Sequence, residues 1–355
     1  MSAPRYRVVQ WATGNIGNRA LREVIRSPAL ELVGVLVYDP AKEGVDAGVL
    51  CGEEPVGVAA TCDRAAIGAL AADCVLYMPR RFEVDEVISL LETGTNVVTT
   101  RGELFAGGHR LGPEQQARVV DACTRGNSSI YATGSSPGFI TDALPLALLS
   151  MQRRVESVQI DEFANMSRRD SPHMLFEQMG FGKPIESFDP RRASFLLGEF
   201  GPALGVLAEA AARPVDAWTS NGEVAAARQT TTLAAGELAA GSVAAQRTII
   251  SGTSNGDEVV RFTANWYCTT DLEPAWDLRP TGWRVRVRGD APFDVELPFP
   301  IPLDELAAFT PAYTANRPVN AIPYVCAAAP GILSTVDLPP ITPAGPRELD
   351  AGGAG

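Results

Sequence analysis

One rhythm constrains this chain more than any other feature. From Arg5 to Ser150, short runs rich in β-branched residues alternate with stretches whose apolar residues recur every three or four positions. Such alternation is the mark of βαβ units, in which crossover helices cover a parallel sheet. It predicts strands at Tyr6 to Trp11, Leu32 to Tyr38, Cys74 to Met78, Asn96 to Thr100 and Ser129 to Thr133. Covering helices are expected at Asn18 to Arg26, Val84 to Glu92 and Glu114 to Thr124. Five strands with crossovers make an α/β, Rossmann-type doubly wound parallel sheet over residues 1–150.

After Asp142 the pattern changes. An apolar helix near Ala143 to Leu149 leads into a strand-like Val155 to Phe163, where a second, α+β domain begins (residues 151–315). Its open, mainly antiparallel sheet is read at Glu223 to Thr232, Val243 to Ser251, Glu258 to Thr269, Gly282 to Arg288 and Phe293 to Leu297, with turn chemistry at Asn255-Gly256-Asp257 and Gly289-Asp290. The strict alternation from Trp283 to Arg288 gives one packed and one wet face, the latter a solvated surface or a binding surface. Asp189 to Ala212 reads as a helix covering this sheet. Residues 316–337 are expected to return to the first domain, and the Pro- and Gly-rich residues 338–355 to be disordered.

At 355 residues the chain is too long for one ordinary core, which agrees with two domains. A formal net charge of -12 argues against a nucleic-acid partner, because neutralising phosphates requires clustered Lys and Arg. The amino-terminal residues run into a strand without the apolar core of a secretory signal, and no uninterrupted apolar run is long enough to cross a bilayer. A cytoplasmic location without a membrane partner is therefore expected. The six cysteines are scattered without a Cys-x-x-Cys pair, and there are only two histidines, so reduced thiols and no metal site are expected.

The first strand ends in Ala12-Thr13-Gly14-Asn15-Ile16-Gly17 and leads directly into a helix, the context that gives a glycine-rich fingerprint its meaning. Gly14 would let the backbone approach a pyrophosphate, Gly17 would let helix and strand pack closely, and the helix N-terminus would supply N–H donors. Ala12 stands where the usual pattern has its first glycine, a departure that costs little if its φ is negative. The alternative is a turn that merely joins strand to helix. About twenty residues on, Tyr38-Asp39-Pro40-Ala41-Lys42 holds two opposed signals: Asp39 suits a ribose hydroxyl and hence NAD, and Lys42 suits a 2′-phosphate and hence NADP. Both cofactors stay open on this reading.

Ligands of open α/β sheets bind outside the carboxyl ends of the strands, which points to the loops after the fourth and fifth. The first carries Thr100, a candidate cofactor contact, and Glu103, the candidate acid–base group. Its carboxyl, desolvated by cofactor and substrate, would be raised toward neutrality, or it is a solvated glutamate at a helix start. The second carries Ser136, Pro137 and Phe139, expected to line a substrate pocket. His173, at a helix start near the domain junction, either joins that pocket or caps a helix at the surface; His109 reads as a loop residue. Asn320, in the returning segment, is expected to approach the cofactor or to serve packing alone.

Taken together, several stretches resemble the dihydrodipicolinate-reductase-like oxidoreductases, within which 2,4-diaminopentanoate dehydrogenase and the native amine dehydrogenases match best. They are Gln10 to Gly17, Asp46-Ala47-Gly48 with Cys51-Gly52, Asn96 to Thr100 followed by Glu103, Pro137-Gly138-Phe139, and Val319 to Pro323. The resemblance runs from about Arg5 to Pro339. Dihydrodipicolinate reductase itself is not matched, because Glu162 to Arg168 stands where its paired histidines and following lysine belong. The amine dehydrogenase resemblance implies reversible oxidative deamination: an amine and NAD(P)+ give an aldehyde or ketone, ammonia and NAD(P)H. It implies that Glu103 is catalytic and that the protein is a homodimer. The alternatives are an ammonia-independent carbonyl or imine reductase and a catalytically silent NAD(P)-binding sensor.

Overall fold

The computed structural model describes residues 5–186 and 188–343. Its strands are β1 (Tyr6–Trp11), β2 (Leu30–Leu36), β3 (Ala60–Thr61), β4 (Cys74–Tyr77), β5 (Asn96–Thr99), β6 (Ser129–Ala132), β7 (Val155–Asn165), β8 (Ala217–Ala227), β9 (Thr231–Leu233), β10 (Gly236–Leu238), β11 (Val243–Ser254), β12 (Asp257–Tyr267), β13 (Leu272–Glu273), β14 (Gly282–Gly289), β15 (Phe293–Pro298) and β16 (Gly331–Leu333). The α-helices are α1 (Asn15–Arg26), α2 (Ala47–Cys51), α3 (Arg64–Gly68), α4 (Val84–Glu92), α5 (Pro113–Gly126), α6 (Leu144–Leu149), α7 (Pro190–Ala210) and α8 (Leu306–Cys326). The chain divides into two units: the residues up to Phe139 together with those from Thr310 onward, and Ile140–Phe309. These bounds differ from the expected breaks at 150 and 315.

The sheet of the first unit is parallel throughout, in the order β16-β6-β5-β4-β1-β2-β3. The winding direction reverses between β1 and β4, which opens a crevice at their carboxyl ends. Both faces are covered. Val9, Val75, Tyr77 and Val97 pack with Val87 and Leu91 of α4 and Val119 and Ala122 of α5. Val8, Leu76, Val98 and Tyr131 pack with Ala20 and Val24 of α1 and Val319, Ile322 and Val325 of α8. The buried residues Gly17, Ala20, Leu21 and Val24 fall at three- and four-residue spacings, so α1 lays one stripe on the sheet. β3 and β16 extend the five expected strands to seven; with two and three residues they are too short to show a period. β2 stops at Leu36, which leaves Tyr38 and Asp39 in the following loop.

The Asp46-Ala47-Gly48 stretch locks that loop. The Asp46 carboxylate accepts hydrogen bonds from the backbone N–H groups of Gly48, Val56 and Gly57, at 2.8, 3.0 and 2.8 Å. A Cβ on Gly48 would lie 2.0 Å from the Glu54 carbonyl oxygen, so no larger residue fits there. The carboxy-terminal residues do not end their packing at 338: Leu338 and Ile341 pack on the core, and the Tyr324 and Thr342 hydroxyls are 2.7 Å apart. The remainder of the expected disordered tail, 344–355, lies outside the described residues.

In the second unit a seven-stranded sheet runs β13-β8-β11-β12-β7-β14-β15. It is mixed: β7 inserts between β12 and β14 and runs parallel to β12, and the other pairs are antiparallel. The expected succession of neighbouring strands is corrected to that extent. β8 also begins at Ala217 and ends at Ala227, where Glu223 to Thr232 was expected. α7 covers the face bearing Phe262, whose ring stacks on Phe200 at 4.2 Å. By length and composition α7 is apolar enough to cross a membrane, and here it buries Leu196, Phe200, Leu204 and Leu207 in this unit.

Candidate dinucleotide site and acid–base loop

Between β1 and α1 the chain turns through Ala12, Thr13 and Gly14. Gly14 is the N-cap of α1; no side chain caps the helix and its first turn holds no acidic residue. The helix therefore presents uncapped N–H groups and the positive end of its dipole, the arrangement that receives a phosphate. A Cβ at Gly14 would meet nothing within 4 Å, so the backbone there borders open space. A Cβ at Gly17 would lie 2.2 Å from the Ala12 carbonyl oxygen, so this glycine allows helix and turn to touch.

Ala12 has φ 75°, so the condition under which alanine would cost little there is not met. Left-handed backbone costs a non-glycine residue roughly 1–2 kcal/mol, and the turn must be held by its surroundings. Gln10, fully buried in β1, donates from Nε2 to the Ala12 carbonyl at 2.9 Å. Lys42 Nζ lies 3.0 Å from the Thr13 carbonyl and 3.1 Å from its hydroxyl. Among the described residues Gln10 Oε1 and Asn18 Oδ1 are buried without a hydrogen-bond partner. Open space at Gly14 and an uncapped helix N-terminus fit a bound diphosphate; the amide oxygens of Gln10 and Asn18 are acceptors and call for a donor instead.

Beyond β2, exposed Asp39 accepts from the Ala41 N–H at 3.0 Å. Next to it lies a network that the sequence did not disclose. The Glu86 carboxylate accepts from Tyr77 Oη at 2.8 Å, Tyr38 Oη at 3.2 Å and Arg64 Nε at 2.8 Å, and Tyr38 in turn accepts from the Trp11 indole at 2.9 Å. Burial and the bonded carboxylate push the Tyr77 hydroxyl far above its ordinary value.

After β5, Thr99 Oγ1 donates to the Tyr77 carbonyl at 2.6 Å and accepts from the Arg101 N–H at 3.1 Å, which fixes the path of the loop through half-buried Thr100. Glu103 meets Arg101 in a two-pronged contact, at 2.7 Å (Nη2–Oε1) and 3.2 Å (Nε–Oε2). Burial pushes the Glu103 carboxyl up, but the Arg101 hydrogen bonds and charge, with Arg110 beyond, hold it below its ordinary value. Arg101 thus opposes the rise toward neutrality expected of this carboxyl and favours its ionised form. Arg101 was in view in the sequence, adjacent in the same loop, but its pairing was not.

After β6, Gly138 has φ 123° and packs against Thr133; a Cβ would lie 3.1 Å from that hydroxyl. Ser136 Oγ is buried without a hydrogen-bond partner among the described residues. Helix α8 reaches this edge: Ser135 and Thr314 hydroxyls are 2.8 Å apart, Arg317 Nε donates to Thr133 Oγ1 at 2.9 Å, and the guanidinium lies 6.0 Å from the Phe139 ring centroid. Thr314 and Arg317, not Asn320, are thus the α8 side chains that meet the carboxyl edge. Asn320 lines a cavity of about 330 Å³ with Glu23, Arg26 and Ser27, at the last turn of α1, away from the glycine turn, which corrects its expected approach to a cofactor. His173 is corrected too: its exposed ring bonds Glu177 at 2.6 Å and Gln178 at 3.1 Å, on its own helical turn. Among the described residues no group of three or more His, Cys, Asp or Glu could hold a metal ion, and all six cysteines are free.

The first unit has the fold of a Rossmann-type dinucleotide-binding domain, and the likenesses of the whole chain are to dehydrogenases. An amine dehydrogenase of Streptomyces virginiae is 29% identical over 345 residues, 93% of this chain and 95% of that protein. The structure of an amine dehydrogenase from Mycobacterium smegmatis is similar with a TM-score of 0.74 at 20% identity, over 96% of this chain and 97% of that one. A myo-inositol dehydrogenase from Corynebacterium glutamicum gives a TM-score of 0.50 at 13% identity, over 90% and 89% of the two chains. No protein-family model matches the chain. The resemblance to amine dehydrogenases drawn from the motifs thus agrees with a relative that spans nearly the whole length.

Proposed function

We propose that the chain is an NAD(P)-dependent oxidoreductase of the amine dehydrogenase type, which interconverts an amine with an aldehyde or ketone and ammonia. The observation that carries this is the uncapped start of α1 beside open space at Gly14, in a chain similar over 93% of its length to an amine dehydrogenase. The glycine turn, Ala12 to Gly17, binds the cofactor diphosphate, and Thr100 borders the nicotinamide. The bound nicotinamide supplies the hydride in reductive amination and receives it in deamination.

Glu103 is the acid–base residue. Held as a carboxylate by Arg101, it takes a proton from ammonium, and the ammonia so freed adds to the carbonyl carbon while one nitrogen proton passes to the carbonyl oxygen to make the hydroxyl. Glu103 then gives the ammonium proton to that hydroxyl as it departs as water, which leaves an iminium carbon for the hydride. Ser136, Pro137 and Phe139 contribute to the substrate pocket. We assign a homodimer and membership of the dihydrodipicolinate-reductase-like group on the motif resemblance. A reducing cytoplasm suits the six free thiols.

The test is NADH and NADPH oxidation by purified protein on a panel of aliphatic aldehydes and ketones, with and without ammonium, for wild type and Glu103→Ala. Turnover that needs ammonium and is lost in the variant supports the proposal. Carbonyl reduction indifferent to ammonium replaces it with a reductase, and nucleotide binding without turnover on any substrate replaces it with a sensor.

A further inference from the structure

We propose that this chain selects NAD(H) over NADP(H), with Asp39 excluding the 2′-phosphate and Lys42 serving the glycine turn and diphosphate instead of reading that phosphate. The inference rests on the dinucleotide reading above and names which dinucleotide. A 2′-phosphate at the end of β2 requires an unspent cation there, since recognition depends on charge-assisted hydrogen bonds. The two cations that the loops after β2 and β3 offer beside Asp39, Lys42 and Arg64, are both committed.

Lys42 Nζ sits on the carbonyl and hydroxyl oxygens of Thr13, one residue before Gly14. Swinging the ammonium out to a 2′-phosphate would remove the donor from the Thr13 carbonyl, in a turn already strained at Ala12. In place, its charge lies beside the uncapped N-terminus of α1 and adds to the attraction for a diphosphate of either nucleotide. Arg64 is bonded to Glu86 at 2.8 Å, and its guanidinium lies 5.4 Å from the Tyr38 ring centroid. Withdrawing it would leave Glu86, which also holds Tyr77 and Tyr38, without its counter-charge.

The remaining charged residues of the loops after β2 and β3 are acidic. Asp39 is exposed, and Glu43 is fixed by Thr61 Oγ1 at 3.0 Å and the Cys62 N–H at 2.5 Å. The Cys62 thiol is pushed up by its hydrogen bond with Glu43, then by burial, then by the charges of Glu43 and Asp39, which outweigh Arg64. A ribose with free hydroxyls can donate to Asp39; a dianionic phosphate in the same place meets a carboxylate without a compensating cation.

The experiment is a fluorescence titration of the full-length protein with NADH and with NADPH, for wild type, Asp39→Ser and Lys42→Met, with the melting temperature of each variant measured without nucleotide. Serine keeps an oxygen for the Ala41 N–H, so the loop start is retained. Wild type is expected to bind NADH at least about tenfold more tightly, Asp39→Ser to close most of that gap by gaining NADPH affinity, and Lys42→Met to weaken both nucleotides by the same factor of about ten. NADPH bound by wild type as tightly as NADH, or a Lys42→Met loss confined to NADPH, would overturn the assignment and leave the dinucleotide reading standing. Binding of neither nucleotide to folded wild type would overturn both.

Discussion

Arg101→Gln is the perturbation that most directly probes the acid–base loop. In the structure Arg101 and Glu103 meet at 2.7 Å with side chains only 26% and 27% exposed, so solvent screens the pair incompletely. An arginine at this distance favours the ionised carboxylate and lowers its pKa. With the guanidinium gone, burial, which is the largest influence on Glu103, is opposed only by a backbone hydrogen bond and the charge of Arg110, and the pKa rises from its wild-type position. If ionised Glu103 is the competent form, the acid limb of kcat/KM for ammonium-dependent turnover moves to higher pH in the variant. Stability follows the same sign. The lowered pKa of the wild type stabilises the fold above the ordinary carboxyl pKa, and this is lost as pH falls through the folded value. The variant's higher pKa shrinks this contribution, so the stability gap between the two proteins is widest near neutrality and closes in acid. Both the pH–rate profile and chemical denaturation at several pH values read this. An acid limb that stays in place in Arg101→Gln would refute the claim that this arginine sets the state of Glu103.

Gly17→Ala should abolish dinucleotide binding and cost about 1–3 kcal/mol, because the new methyl would meet the Ala12 carbonyl at 2.2 Å and neither backbone can retreat without opening the turn; nucleotide titration and thermal melting test it. Ala12→Gly should change stability by less than about 1 kcal/mol, since relief of the left-handed φ is offset by a lost buried methyl and by the freer unfolded chain. A gain of several kcal/mol in denaturant titration would show that the turn is far more strained than its two side-chain anchors imply. In β14 two arginines on one face should behave differently. Asp161→Ala leaves Arg286 without the partner it holds at 2.6 Å on a side chain 11% exposed, a loss of about 2–3 kcal/mol. Asp294→Ala breaks the Arg284 pair on a side chain 51% exposed and should cost under ~1 kcal/mol in the same assay.

The first sheet was legible because its strands are buried on both faces and its helices on one, two patterns that differ in period as well as in composition. What escaped was short or locally contradictory. The two residues of β3 carry no period, and α8 holds Pro311, Pro318 and Pro323, each of which opposes a helix by local propensity. Only the burial of Val319, Ile322 and Val325 against the sheet outweighs that cost, and burial of this kind is a tertiary fact. In the second unit the alternation of apolar and polar residues identified strands, but alternation is indifferent to neighbours. The insertion of β7 beside β12, parallel to it, is therefore invisible until the chain is assembled.

The candidate site divides along a related line. A glycine announces its reason in the sequence, because few backbones need one, and Gly14 and Gly17 could be singled out without knowing any contact. A charged side chain does not, because its chemistry depends on the partner it is spent on. Asp39 and Lys42 read as opposed signals of equal weight until the ammonium is found on Thr13. Glu103 reads as a group to be raised toward neutrality until Arg101 is found across it. His173 reads as a pocket residue or a surface cap until its exposed ring is found bonded to Glu177. Each partner was within a turn or a loop in two of these cases, so proximity in sequence was present and insufficient. The competition between desolvation and pairing is decided by a few tenths of an ångström in geometry, and for that reason the perturbations that remove the partner, Arg101 or Lys42, report more about this chemistry than those that remove the charge itself.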